Sequence, residues 1–263
     1  MKILVFIPMY NCEKQIPRVI SQFDEETQKL FTEILVVDNI SKDNSLLVAE
    51  EALKKLKSIK TTLIQNKENV SLGGSHKVAF NYAIENEYDY IIVLHGDDQG
   101  SIKDIVPYIK DKTAFDYDAF LGARFMKAAS IIGYSNIRIL GNKILNTIYS
   151  IVVKKTVYDM GSGLNMFKTE FLRNKFYIEL LPNSLTFNNL LLLYISYKKL
   201  NYNFFPINWK EDDQISNAKM FKQGFEILKF CFLYIFANKK LFVEREKYKD
   251  YLYNIKYTNK GDI

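Results

Sequence analysis

Carboxylate, imidazole and amide side chains follow one apolar run of this 263-residue chain. The run spans residues 91–94, and His95, Asp97, Asp98 and Gln99 come directly after it. Ligand sites of open α/β sheets lie just beyond the carboxyl ends of strands. Carboxylate and amide oxygens are ligands that hard divalent cations such as Mg²⁺ favour. The segment therefore predicts a metal site, and the alternative is an acidic turn that only closes a core strand.

The surrounding pattern predicts the sheet that positions these side chains. Buried strands are predicted at residues 2–7, 34–37, 61–65, 91–94, 119–122 and 204–207, with a further strand after a Gly-Ser turn at 161–163. Helices are predicted at residues 13–23, 46–56, 76–85, 101–109, 134–153 and 185–200. Alternation of strands and helices with short links is typical of an α/β fold with a mostly parallel sheet and helices on both faces.

Gly73 and Gly74 precede one of the predicted helices. Such a pair indicates either a turn or a phosphate-binding helix N-terminus, and the sequence leaves both interpretations open.

Composition limits the class of protein. Hydrophobic residues make up 48% of the chain and charged residues 25%, which fits one large domain with a full core. The net charge of +6 suggests an anionic partner, but the basic residues form no stretch typical of nucleic-acid binding. Cys12 and Cys231 fit no metal-finger spacing. Because no apolar run approaches the roughly 20 residues of a membrane span, we expect a cytoplasmic protein, either soluble or peripheral on the cytoplasmic membrane face.

Several short segments occur in an order that is typical of one enzyme family. These segments are residues 7–11, 36–39 with Ser41 and Asp43, 95–99, 122–124, and Asp159 with residues 162–163. With them the chain resembles the family 2 glycosyltransferases, which have a GT-A (Rossmann-like) fold. It is most similar to the branch of dolichyl-phosphate mannosyltransferase and other polyprenyl-phosphate glycosyltransferases. The resemblance covers about residues 2–229.

The resemblance implies a nucleoside-diphosphate-sugar donor. Donor-binding positions by this resemblance are Pro8, Tyr10, Asn11, Glu13, Asp38, Asn39, Lys67 and Asp97. Asp38, at the end of a predicted strand, can accept hydrogen bonds from a base or a ribose. Its alternative role is that of an ordinary helix-capping residue.

A metal cofactor follows from the same resemblance, because a divalent cation neutralises the leaving diphosphate. Asp97 is the first expected ligand, followed by Gln99 and His95. His95 occupies the first Asp position of the family's Asp-x-Asp-x-Gln motif. An imidazole suits Mn²⁺ better than Mg²⁺, so Mn²⁺ is slightly favoured over Mg²⁺. His95 could equally hydrogen-bond a phosphate or be purely structural.

Acceptor-binding positions by the resemblance are Arg124, Arg138, Ser162 and Trp209, and catalytic positions are Asp97, Arg124 and Asp159. Arginine binds phosphate in a bidentate manner. The alternative for Arg138 is a solvated helix face, and for Trp209 it is simple packing.

A carboxylate is missing where many relatives that glycosylate a hydroxyl carry their general base, since the aligned position reads Asn188-Asn189. An amide cannot take a proton from an alcohol. A polyprenyl phosphate acceptor, already anionic, needs no base. A glycan hydroxyl would need another carboxylate, with Asp159, Glu211, Asp212 and Asp213 as candidates. A non-catalytic sugar-nucleotide-binding scaffold is the third hypothesis.

Domain boundaries follow from these assignments. We expect a catalytic domain at residues 1–219, with a nucleotide-sugar half at 1–100 and an acceptor half at 101–219. Residues 220–263 form a basic, aromatic and helical tail. The tail could lie on an anionic membrane surface, cover the domain's own core, or mediate homo-oligomer contact.

Overall fold

The computed structural model describes residues 1–213, 220–243 and 250–261. Its strands are β1 (Ile3–Met9), β2 (Glu33–Asp38), β3 (Lys60–Asn66), β4 (Tyr90–Leu94), β5 (Ala119–Ala123), β6 (Ile131–Ile132), β7 (Leu164–Lys168), β8 (Tyr202–Pro206), β9 (Trp209–Lys210) and β10 (Tyr253–Asn259). Its α-helices are α1 (Ile16–Ser21), α2 (Glu25–Gln28), α3 (Ser45–Leu53), α4 (Ser71–Glu85), α5 (Val106–Lys110), α6 (Asn136–Val153), α7 (Phe176–Leu180), α8 (Phe187–Tyr197), α9 (Met220–Phe236) and α10 (Asn238–Leu241). Short 3₁₀ turns occupy Ile102–Asp104, Thr113–Asp116 and Thr169–Leu172.

The main sheet has the strand order β10-β3-β2-β1-β4-β7-β5-β8 within the described residues. Strands β3, β2, β1 and β4 run parallel, as do β5 and β8, whereas β7 is antiparallel to both of its neighbours. A separate pair joins β6 to β9. The predicted α/β, mostly parallel fold is therefore confirmed.

Alternating side chains of the central strands enter two cores, one on each face of the sheet. In β4, Ile91 and Val93 join the core beneath α4, α6, α8 and α9. Ile92 and Leu94 join the opposite core, which α1, α3 and α5 cover. Because neighbouring strand residues point to opposite faces, a continuous apolar run is the pattern of a strand buried on both sides.

The glycine pair of α4 serves packing rather than a phosphate loop. The helix begins at Ser71, earlier than predicted, so Gly73 and Gly74 lie in its first turn. A Cβ on Gly73 would lie 2.4 Å from the carbonyl oxygen of Pro182. The Gly73 N–H already donates to the carbonyl oxygen of Asn183 at 2.8 Å. The absence of a side chain at this position lets the helix approach the segment before α8.

The tail combines helix and strand. Helix α9 was predicted, and its buried residues Ile227, Phe230 and Cys231 cover the core. The final strand β10 was not predicted. It pairs antiparallel with β3 and forms an edge of the main sheet. Residues 253–259 therefore belong to the same sheet as β1 to β4. None of the helices in the described residues has the length and apolar character needed to cross a membrane.

Candidate active site

The first part of the site lies where β1, β2 and β4 end side by side. The N–H of Gly96 donates to the carbonyl oxygen of Pro8 at 3.1 Å. A Cβ on Gly96 would lie 2.8 Å from the same oxygen. Only glycine allows the loop after β4 to pass this close to β1. This close approach places the loop that carries Asp97 next to the end of β1, where donor-binding residues were predicted.

Side chains of the β1 loop hold the loop that follows β2. The backbone N–H of Lys42 donates to Asn11 Oδ1 at 2.7 Å, and that of Asn44 donates to Glu13 Oε2 at 3.0 Å. Asn11 adopts a left-handed backbone conformation with φ 51°, which asparagine tolerates better than most residues. Asn11 and Glu13 thus hold the loop after β2 in place, and Tyr10, directly before Asn11, is half-buried.

Asp38 is fully buried at the end of β2. Its carboxylate accepts from Gln65 Nε2 at 2.8 Å and from the N–H of Ser41 at 3.2 Å. Asn39 is different, since its amide oxygen accepts from Asn66 Nδ2 and from the N–H of Val70, while its Nδ2 donates to Asn69, so that it holds loops together. Lys67 is exposed just beyond β3.

Asp97 lies half-buried just after β4, next to Gly96. Burial raises the pKa of its carboxyl group to about 6, while the N–H of Gln99, 3.3 Å from Oδ1, favours the charged form. Burial, with a further contribution from the Asp97 carboxylate, raises the pKa of the Cys12 thiol to about 12. Arg124 lies near enough to lower the pKa of Asp97. Asp97 is therefore positioned between the donor loops and Arg124.

The other two predicted metal ligands make contacts of their own. Gln99 Nε2 donates to Glu211 Oε1 at 3.3 Å. His95 is half-buried, and desolvation followed by the Arg124 charge lowers its pKa to about 4, so the ring is neutral at pH 7. Within the described residues its Nε2 has no hydrogen-bond partner. Gly163 makes space for this ring, because a Cβ there would lie 2.9 Å from His95 Cγ.

The donor set matches a hard cation that takes several of its ligands from elsewhere. In residues 1–213, 220–243 and 250–261, no three His, Cys, Asp or Glu side chains gather into a metal-binding group. Asp97 supplies a half-buried carboxylate whose charged form is disfavoured by desolvation, and a bound cation would offset that penalty. The residues therefore fit a metal held mainly by Asp97 and completed by diphosphate oxygens and water.

Arg124 and Asp159 form a buried ion pair. Arg124 Nε and Nη2 donate to the two Asp159 oxygens at 2.7 and 2.9 Å, and the Arg124 backbone N–H adds a third bond at 3.0 Å. The guanidinium lies 4.9 Å from the centre of the buried Trp209 ring. In this geometry Asp159 orients the Arg124 side chain, and the Trp209 ring packs against the guanidinium.

Arg138 and Glu211 form a second pair nearby. Arg138 Nη1 donates to both Glu211 oxygens, at 2.6 and 2.5 Å. The Tyr134 ring supports the guanidinium at 4.2 Å. Sequence reasoning missed Tyr134, which lies in the loop just before α6 begins at Asn136. Ser162, by contrast, turns inward and donates to the carbonyl oxygen of Leu164 at 3.1 Å.

A groove of about 570 Å³ leads to these two arginines. Helices α6 and α9 supply apolar wall residues, among them Ile137, Leu145, Phe225, Ile227 and Leu228. Its polar lining includes His95, Gln99, Arg124, Arg138, Asn188 and Asn189. The two asparagines lie in the first turn of α8. The position expected for a general base therefore does face the groove, but it carries amide side chains. Sequence reasoning did not find this groove, because it arises from the packing of two helices far apart in the chain.

Comparisons with known proteins identify the protein family. The family model "Glycosyl transferase family 2" matches residues 4–176. This chain belongs to that family, and it is a nucleotide-sugar-dependent glycosyltransferase with a GT-A fold. The resemblance noted in the sequence is thereby confirmed at the level of the family.

The chain is similar to several individual proteins and solved structures. The chain is 31% identical over 175 residues to the uncharacterized protein MJ0544 of Methanocaldococcus jannaschii, covering 65% of this chain and 73% of that protein. Residues 1–349 of S. aureus TarS superpose with a TM-score of 0.60 at 17% identity, over 90% of this chain and 66% of TarS. Glucosyl-3-phosphoglycerate synthase from Mycobacterium tuberculosis, in complex with Mn²⁺, UDP-glucose and phosphoglyceric acid, gives 0.62 at 12% identity, over 88% and 78%.

Proposed function

We propose that this enzyme transfers a sugar, with inversion and with the help of a divalent cation, from a nucleoside-diphosphate sugar to a polyprenyl phosphate. The observation that carries the proposal is the groove. Its lining combines apolar walls with two arginines and presents asparagines where a general base would be needed. A long apolar alcohol esterified to phosphate has this same division into an apolar tail and an anionic head.

The donor would bind over the ends of β1, β2 and β4. Asp38, with its fixed carboxylate, would accept hydrogen bonds from the base or ribose, and Pro8, Tyr10 and Lys67 would border the nucleotide. Asp97 would hold the metal, which supplies charge neutralisation to the departing diphosphate. Mn²⁺ and UDP-glucose in the mycobacterial relative make Mn²⁺ and uridine donors the first to test.

The acceptor phosphate would lie beside Arg124 and Arg138. Both arginines already carry carboxylate partners, so Asp159 orients Arg124 while Glu211 holds Arg138 until a phosphate competes for it. The neutral His95 ring lines the groove. Its shielded Nε2 has no hydrogen-bond partner within the described residues and would donate to a phosphate oxygen that reaches it. A phosphate that arrives ionised attacks without losing a proton.

A glycan hydroxyl is the second candidate acceptor, and Glu211 favours it. This carboxylate lies 3.3 Å from the amide of Gln99 in the metal-motif loop, a place from which a base could reach an acceptor. Asp212 and Asp213 are less suited, since they pair with Lys210 at 2.6 Å and with Arg18 at 2.9 Å near the surface.

Glu211→Gln separates the two acceptors. With a lipid phosphate, we expect the rate of transfer to change by less than about threefold, because no base is used and Arg138 is released. With a glycan hydroxyl, loss of the base lowers the rate by about a hundredfold or more. The measurement is steady-state release of nucleoside diphosphate with a short-chain polyprenyl phosphate. A hundredfold loss with that acceptor would refute the base-free reaction.

Donor binding is tested by thermal denaturation with a panel of nucleotide sugars, with and without Mn²⁺. A ligand present at about a hundred times its dissociation constant stabilises the folded state by about 2.7 kcal/mol. We expect a uridine or guanosine sugar to raise Tm with Mn²⁺ and Asp38→Asn to remove most of that rise. An exposed acidic control, Asp24→Asn, leaves the rise unchanged. Equal shifts for the wild type and Asp38→Asn would place the nucleotide elsewhere.

A further inference from the structure

Helix α6 has an apolar face that the protein does not bury. Ile137, Leu140, Ile144 and Ile151 are all exposed, and their spacing of three, four and seven residues places them on one side of the helix. The buried residues Asn146, Tyr149 and Val152 lie on the other side. The helix therefore presents hydrocarbon to the protein core and to its surroundings alike.

Helix α9 repeats the arrangement. Its exposed apolar residues are Phe225, Leu228, Phe232, Ile235 and Phe236. Ile227, Phe230 and Cys231 form the buried side. A helix that is apolar on both sides is expected where it lies between a core and a second apolar medium. Contiguous exposed apolar surface of this kind marks an interaction site.

The two exposed faces meet at the acceptor groove. Ile137 and Phe225, each 80% exposed, both line that groove, so they form its rim. We call the exposed apolar residues of α6 and α9 together the docking face. Because the groove opens through the docking face, whatever covers this face also lies at the groove entrance.

The charges around the docking face are mainly positive. Helix α6 contains no Asp or Glu, and its Lys143 is exposed three residues after Leu140. In α9 the exposed Lys229 lies three residues before Phe232, and Glu226 is the acidic residue of that helix. Basic side chains at the border of an apolar helical face are typical of helices that lie in the interface of an anionic bilayer.

A second copy of the chain fits this surface less well. A twofold contact is self-complementary, so both copies contribute the same patch. Both copies would then bring Lys143 and Lys229 into one interface, where α6 and α9 of each copy contribute Glu226 as their acidic residue. Like charges brought together in this way destabilise an interface.

We infer that the docking face inserts α6 and α9 shallowly into an anionic lipid bilayer and places the groove entrance at the lipid surface. An acceptor whose tail stays in the bilayer then reaches Arg124 and Arg138 without leaving the membrane. That benefit depends on the proposed lipid-phosphate acceptor, whereas the binding to lipid does not.

The test is flotation of the full chain with vesicles of phosphatidylcholine, either alone or mixed with phosphatidylglycerol. We expect the protein to float with the mixed vesicles and to bind pure phosphatidylcholine much more weakly. The double variant Phe232→Gln/Phe236→Gln, outside the groove lining, should lose about tenfold or more of its vesicle partition. Lys143→Glu/Lys229→Glu should lose binding in a salt-dependent manner. Leu47→Gln on α3 removes a comparably exposed side chain and should bind like the wild type.

Two results would overturn the inference. One is a wild type that stays with neither vesicle, and the other is a Phe232/Phe236 variant that binds as well as the wild type. A dimer in size-exclusion chromatography that this variant dissociates, without vesicle binding, would assign the face to a second copy. Transfer to a short, water-soluble polyprenyl phosphate is measured in parallel. If the protein binds vesicles but transfers no sugar, the proposed acceptor is wrong and the docking face is supported. If it transfers sugar but binds no vesicles, the docking face is wrong and the acceptor is supported.

Discussion

Asp97→Asn is expected to lower metal-dependent sugar transfer by about a thousandfold, which corresponds to roughly 4 kcal/mol of transition-state stabilisation. Asp97 is a half-buried carboxylate whose charge is influenced by Arg124 and itself influences Cys12. An amide at this position removes the charge that holds the cation against the diphosphate. The measurement is initial-rate release of nucleoside diphosphate across a Mn²⁺ titration. A variant that regains full activity at high Mn²⁺ would show that Asp97 contributes affinity only.

The same substitution should stabilise the metal-free protein at neutral pH. Burial raises the pKa of Asp97 from 3.8 to about 6, so the folded state binds this proton more tightly than the unfolded chain does. The resulting stabilisation is fully present below about pH 4 and is lost as the pH rises through about 6. The amount lost is on the order of 3 kcal/mol.

Thermal denaturation in the presence of a chelator checks this pH dependence. We expect Asp97→Asn to have a higher Tm than the wild type at pH 8 and to differ little from it near pH 4. Mn²⁺ should raise Tm in the wild type alone. Wild-type and variant curves that stay parallel from pH 4 to pH 8 would contradict a half-buried, destabilised carboxylate.

Asp98→Asn is the matched control for both measurements. Asp98 is the adjacent carboxylate, but it pairs with Arg18 at 2.6 Å at the surface. Its backbone is left-handed with φ 59°, and asparagine tolerates that conformation. We expect the rate to change by less than about threefold, since an exposed pair contributes about 0–1 kcal/mol.

The fold could be predicted from the sequence where an element is buried. Residues 91–94 are apolar at every position because β4 is covered on both faces, and such a run carries a clear signal. Strand β10 gave no such signal, because it lies at the sheet edge and exposes most of its residues. Its place is fixed by pairing with β3, nearly 200 residues earlier in the chain.

The candidate site also has one part that the sequence predicts and one part that it does not. The placement of Asp38 and Asp97 at neighbouring strand ends could be predicted because the ends of parallel strands converge on one edge of the sheet. The pairing of Arg138 with Glu211 joins residues 73 positions apart, and a sequence pattern does not show which charges a fold will bring together. The groove depends on how α6 packs against α9, which lies beyond any local signal. The groove was therefore the harder part of the candidate site to predict.

Asp159→Ala is expected to cost about 3–5 kcal/mol of unfolding free energy, the largest effect on stability that we predict. Both members of the Arg124–Asp159 pair are at most 9% exposed. Removal of the carboxylate leaves the guanidinium buried without its counter-charge, and the backbone N–H of Arg124 also loses its acceptor. Chemical denaturation measures the loss. Glu170→Ala breaks the exposed pair with Arg173 and should cost no more than about 1 kcal/mol.

A double variant shows whether the cost arises from the unpaired charge. Arg124→Met/Asp159→Leu replaces both charges by apolar side chains of similar size, and such replacements of buried pairs are often neutral or stabilising. We expect the double variant to recover most of the stability lost by Asp159→Ala while remaining inactive. A double variant no more stable than Asp159→Ala would locate the cost in packing instead.

Asp159→Asn then distinguishes a positioning residue from a base. If Asp159 orients Arg124, the variant should raise KM for a phosphate acceptor by about tenfold or more and leave the slow hydrolysis of the donor unchanged. If Asp159 were the base for a hydroxyl acceptor, kcat would fall instead and its pH profile would lose the acidic limb. Since both Asp159 oxygens already accept hydrogen bonds from Arg124, the geometry favours the first result. Transfer to a phosphate would then depend on Asp159 only through the arginine that it holds.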